Sequence, residues 1–167
     1  MKHLLAELAA AEIGQREESP NSGRRIRLYQ SSTNLRPASW PWCSAFVCWI
    51  VRQWLERPEV AEWLGLRSTT PEAWRPKTAL AFGLLSWARS RPRSCRILAD
   101  NDRAVAGDIV VYDFSHCGIV LADIEGGLIA VAEGNTNPAG GREGDGVYRK
   151  IRSRIPVVCF IRFAPVG

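Results

Sequence analysis

The sequence predicts an α+β fold in which helices come first and a mostly antiparallel sheet of about five or six strands follows. Three observations lead there. The first half carries apolar residues at helical spacing, and the part after Pro92 breaks into short β-branched runs bounded by Gly, Pro or Asp. The gaps between those runs are too short for the crossovers that parallel strands need. No repeat or low-complexity linker divides the chain. Its 167 residues, 46% of them hydrophobic, are therefore read as one domain over 1–167 with one core.

The opening segment MKHLLAELAAAEIG reads as an amphipathic helix with Leu4, Leu5, Leu8 and Ala11 on one side. A polar stretch follows, with turn formers from Ser19 to Gly23. In SWPWCSAFVCWIVRQWLE, Cys43, Phe46, Val47, Ile50 and Trp54 repeat at the spacing of one helical face. Pro41 is tolerated only in a first turn, which puts Cys43 close to the helix N-terminus. A further helix is expected over 77–89, stopped by the arginine and proline cluster around Pro92. Strands are expected over 107–114, 117–123, 127–133, 146–152 and 157–163 as an antiparallel meander. The glycine-rich segment 134–146 reads as a mobile loop.

Composition narrows the function classes. The net charge of +5 is almost entirely arginine, since Lys2, Lys77 and Lys150 are the only lysines. Such a surface suits an anionic partner without choosing among them. The arginine clusters carry no recognition motif or aromatic platform, so they read as solvated surface and no nucleic-acid partner is expected. The longest apolar run, 43–51, falls far short of the roughly 20 residues that cross a bilayer. Glu7 and Glu12 interrupt what would be the centre of a signal peptide. A chain made in the cytoplasm, without stable membrane insertion, is expected. Five cysteines form an odd set, and no C-x2-C pair occurs, so free thiols with no disulfide framework, metal or cofactor are expected.

One pattern remains that packing does not explain. A thiol at a helix N-terminus is favoured as thiolate, the form that attacks carbonyl carbon. It needs a base, and His116 is the only histidine outside the extreme N-terminus. A third group must orient the imidazole, and AEGNTN offers Glu133 and Asn135. If the runs containing His116 and Glu133 pair as a hairpin, those two ends lie side by side. Cys48, Cys95, Cys117 and Cys159 read as buried structural thiols, and Asp108 as a residue closing a turn.

PWCSAFVCW, GDIVVYDFSHCGIVL and VAEGNTN, in that order from Pro41 to Tyr148, resemble the CHAP domain, the cysteine, histidine-dependent amidohydrolase/peptidase module of the NlpC/P60-like, papain-like group. The resemblance implies a papain-like fold with Cys43 as nucleophile, His116 as base, Glu133 orienting it and Asn135 as an auxiliary polar group. Trp40 and Trp42 are expected as groove walls that bind substrate, and Tyr29, upstream of the nucleophile, as a donor to the oxyanion. Some members bind calcium through acidic residues just before the cysteine. Residues 19–42 contain no Asp or Glu, so no calcium site is expected there.

The resemblance further implies a peptidoglycan hydrolase that cleaves either the N-acetylmuramoyl-L-alanine amide or a bond within the stem or bridge peptide. Its partner would be a wall peptide, met after release or delivery by another protein, with an immunity protein if the enzyme is a toxin. A monomer is the simplest expectation. Two alternatives stand beside it: a cysteine amidase on a non-wall substrate, and a non-catalytic wall-binding module of the same fold.

Overall fold

The computed structural model describes Met1–Pro165. Its helices are α1 (Lys2–Ala11), α2 (Arg24–Gln30), α3 (Cys43–Leu55), α4 (Pro58–Trp63), α5 (Pro71–Trp74) and α6 (Ala81–Arg89). Its strands are β1 (Cys95–Leu98), β2 (Ile109–Tyr112), β3 (His116–Ile124), β4 (Leu128–Thr136), β5 (Gly146–Ser153) and β6 (Val157–Phe163). All pairings are antiparallel, in one sheet of order β1-β6-β2-β3-β4-β5. The fold is thus α+β. It departs from a simple meander at its end: β6 returns to pair with β2, and β1 takes the edge beyond it.

α3 is the spine of the core. Phe46, Val47, Ile50 and Trp54 are fully buried, each contributing about 1.5–3 kcal/mol through the apolar surface it removes from water. They pack, with α1 and α6, over a sheet face formed by Ile109, Val111, Ile119, Ala132 and Ile161. The opposite face holds a smaller cluster around Val110, Tyr112, Val120, Val131 and Phe160. Arginine side chains cover part of it: Arg154 lies over Phe160, and Arg152 over Tyr112 and Phe114. These arginines are therefore structural. Arg162 holds the fully buried Asp108 with Nε to Oδ1 at 2.9 Å and Nη2 to Oδ2 at 2.7 Å. Asp108 also accepts from Val105 N–H, closing the turn before β2.

Element boundaries differ from expectation where side-chain anchoring competes with periodicity. α3 begins at Cys43, so Pro41 precedes the helix instead of lying in its first turn. α6 begins at Ala81, because Thr78 O accepts from Ser44 and Cys48 and holds the preceding segment extended. In α1 the buried residues are Leu5, Ala6 and Ala9, while Ala11 is exposed. α2 emerges from the polar stretch because Ile26 and Tyr29 reach the core. β1 emerges from the arginine cluster because β6 offers it a pairing edge, Cys95 opposite Phe163.

Candidate active site

Cys43 is the first residue of α3, with Trp42 as the N-cap residue. N–H groups in a helix's first turn lack intrahelical acceptors and carry the positive end of its dipole, so negative charge on this sulfur is favoured. The helix end is pressed against β4 at Gly134. A Cβ there would sit 2.7 Å from both Phe46 Cβ and Trp42 Cζ3, so the close approach requires glycine.

β3 and β4 bring the other groups to the same place. His116 opens β3 after a tight turn from Tyr112, with Ser115 in the left-handed region at φ 59°. Its Nε2 is 3.0 Å from Glu133 Oε2, and both side chains are fully buried. Gly118 makes that reach possible, because a Cβ on it would stand 2.9 Å from Glu133 Cγ and 2.7 Å from Ala132 O. Glu133 also accepts from Tyr112 Oη at 3.1 Å and from Arg152, with Nε to Oε1 at 2.8 Å and Nη2 to Oε2 at 2.5 Å. His116 Nδ1 is buried with no hydrogen-bond partner among the described residues, and Cys43 lies beside the ring.

Ionisation follows from these neighbours. The Cys117 thiol beside it holds Cys43 well below the ordinary thiol range; burial opposes this, and His116 and the Ser44 N–H reinforce it. Burial pulls the His116 imidazole down, but the Cys43 sulfur and the Glu133 carboxylate outweigh it and raise the value to about 9. Burial would raise the Glu133 carboxyl, yet Arg152 and His116 keep it below the ordinary carboxylate range. The other cysteines behave oppositely. Burial pushes Cys48 and Cys95 up to about 12 and Cys159 to about 11, and Cys117 also rises. All five are buried free thiols, so placement, not exposure, singles out Cys43. A thiolate beside an imidazolium is a nucleophile joined to a general acid, the pairing that acyl transfer uses.

Cys43 opens on a cleft of about 370 Å³ floored also by Ser115 and Asn135, with the fully buried His116 behind it. Asn135 is buried in the left-handed region at φ 59°, and neither its amide nitrogen nor its oxygen has a partner. Apolar walls come from Leu35, Trp40, Leu80 and Phe82, and Arg142 completes the rim.

Of the residues expected at the site, Cys43, His116, Glu133 and Asn135 converge, and Trp40 lines the cleft. Trp42 and Tyr29 do not. Trp42 is fully buried beneath the helix end, with its Nε1 bonded to Glu17 at 2.7 Å. Tyr29 stacks on Trp42, and its hydroxyl donates to the Glu12 carboxylate in the core. An aromatic ring beside an apolar helix satisfies the core before it can serve a groove. Arg152, Tyr112 and Cys117 were not anticipated. A buried Glu133 needs a cation, but nothing local in GVYRKIR marks Arg152 as that partner.

Among the described residues, no group of three or more His, Cys, Asp and Glu side chains is placed to hold a metal ion. No described helix is long and apolar enough to cross a membrane. No protein-family model matches the chain, no curated protein matches its sequence, and no solved structure matches its fold.

Proposed function

We propose that the protein is a cysteine amidohydrolase of the CHAP type with a papain-like arrangement, acting on an amide bond of peptidoglycan. The observation that carries this reading is that Cys43, the first residue of α3, stands beside a histidine fixed by a buried carboxylate, a setting that favours its thiolate where burial disfavours it at the other four cysteines. In the proposed reaction Cys43 Sγ attacks the amide carbonyl. The oxyanion is met by N–H groups of the first turn of α3, and the unpartnered amide of Asn135, which lines the same cleft, can donate to substrate. His116 gives its proton to the departing amine, then takes one from the water that releases the acyl group. The basic, arginine-rich chain suits an anionic wall polymer.

The test is digestion of purified sacculi by the wild-type protein and by Cys43→Ala, with mass analysis of the released fragments. Release of peptide by wild type alone supports the reading. A new N-terminal L-alanine identifies amidase action, and a shortened stem peptide identifies endopeptidase action. Equal release by Cys43→Ala removes the nucleophile assignment, and no release by wild type directs the site to a different amide.

A further inference from the structure

The cleft is unusual in its charge. Among its lining residues, Arg142 is the only ionisable side chain besides Cys43, and no acidic residue faces it. Leu35, Leu80 and Phe82 stand on its rim at 54%, 72% and 41% exposure, large apolar side chains in water beside one cation. A ligand that satisfies both features carries an aliphatic portion and an anionic group.

Arg142 is not on a free-swinging loop. The segment from Asn137 to Glu143, expected to be mobile, is bonded at nearly every step. Thr136 Oγ1 donates to Gly141 O at 2.6 Å, and Gly141 N–H donates to Asn137 Oδ1 at 3.0 Å. Lys150 Nζ donates to Pro138 O at 2.6 Å, and Arg152 Nη1 to Gly140 O at 2.9 Å. Arg152 thus holds Glu133 and the loop at once, fixing the height of Arg142 over the catalytic floor. Lys150 and Arg152 are occupied by these bonds. Among the described residues Arg142 itself pairs only with Glu143, at 3.7 Å, both side chains more than half exposed. Such a surface pair contributes little and yields readily to a better-placed anion.

We infer that Arg142 reads a free carboxylate on the substrate peptide next to the bond that Cys43 attacks. A guanidinium binds a carboxylate through two parallel hydrogen bonds, whereas a carboxamide offers one acceptor and no charge. Resting on the hydrolase reading, this names the substrate class: stem peptides whose γ-linked glutamate keeps its α-carboxylate, in preference to those in which it is amidated. The aliphatic rim takes the neighbouring alanine side chain.

Two synthetic stem tripeptides, differing only in carboxylate or carboxamide at that glutamate, test it. Wild type should cleave the acid with kcat/KM at least about tenfold higher, the discrimination expected of a charge-assisted pair. In Arg142→Gln the ratio should fall to within about twofold, and Arg142→Lys should keep an intermediate ratio. Equal cleavage by wild type, or an unchanged ratio in Arg142→Gln, overturns the inference. Calorimetric binding of both peptides to Cys43→Ala separates it from the hydrolase reading. If wild type cleaves neither peptide, tighter binding of the acid that is lost in Cys43→Ala/Arg142→Gln upholds carboxylate recognition while the hydrolase reading falls. Equal binding of the two peptides overturns recognition.

Discussion

Arg152 grips both oxygens of Glu133, at 2.8 and 2.5 Å, and one of those oxygens is also the partner of His116 Nε2. Burial works against the charge on Glu133, and Arg152, followed by His116, keeps it ionised. Arg152 therefore acts through Glu133, as a positioning residue for the imidazole.

Arg152→Met should cost about 3–5 kcal/mol of stability, since it strands a buried charge, and should cut kcat sharply. Its signature is in the pH profile. Glu133 gains a proton, His116 loses its support, and the basic limb of activity moves to lower pH. Arg152→Lys restores charge without the two-pronged geometry and should recover the limb in part. Chemical denaturation and pH-rate profiles check both.

Activity requires the Cys43 thiolate and the His116 imidazolium together, so kcat/KM should be bell-shaped. The acid limb lies below the ordinary thiol range and the basic limb is near 9, both belonging to the coupled pair. The same shift affects stability. The folded imidazole titrates at about 9 against an ordinary 6.5, so its contribution is complete below pH 6.5 and is lost as pH rises through about 9. The depressed Cys43 thiol has the opposite sign, a contribution gained as pH rises toward 9. Folded and unfolded chains therefore each hold one proton on this pair over that window, and the melting temperature should stay nearly level from pH 6.5 to 9; a steep change there overturns the ion pair.

Cys117→Ala removes the thiol that contributes most to holding Cys43 ionised, so the acid limb should move to higher pH. Cys159→Ala, at a thiol that is not among the influences on Cys43, should leave that limb in place. Alkylation rate against pH, followed by mass spectrometry at Cys43, measures the shift directly.

Gly118→Ala places a methyl group 2.7 Å from Ala132 O and 2.6 Å from Val131 Cγ1. The strand must move, at a cost of about 1–3 kcal/mol, and Glu133 moves with it. Activity should drop beyond what the lost stability explains, as read from kcat on the fully folded fraction.

Asp108→Ala is the contrasting case. It removes the acceptor of Arg162 and of Val105 N–H and should cost about 1–3 kcal/mol, since the partly exposed Arg162 regains water. Because Asp108 touches neither the cleft nor His116, kcat per folded molecule should be unchanged. Denaturant midpoints and active-site titration distinguish the two effects.

Periodicity and turn chemistry were enough to determine the α+β class, the apolar helix that carries Cys43 near its N-terminus, and five of the six strands, because they are local properties of the chain. They also set Cys43, His116, Glu133 and Asn135 apart, since a helix-terminal thiol, a single internal histidine and a polar pair closing an apolar strand have no packing purpose. Local pattern could not assign Tyr29 and Trp42, which look the same in sequence whether they line a groove or fill a core; only the stacking of α2 beneath α3 decides. Nor could it find Arg152, Cys117 or Arg142, whose roles exist only once β5, β3 and the 137–143 loop are placed. Their effects are electrostatic and act across strand pairings, where distance in space and desolvation set the energy and sequence separation has no bearing.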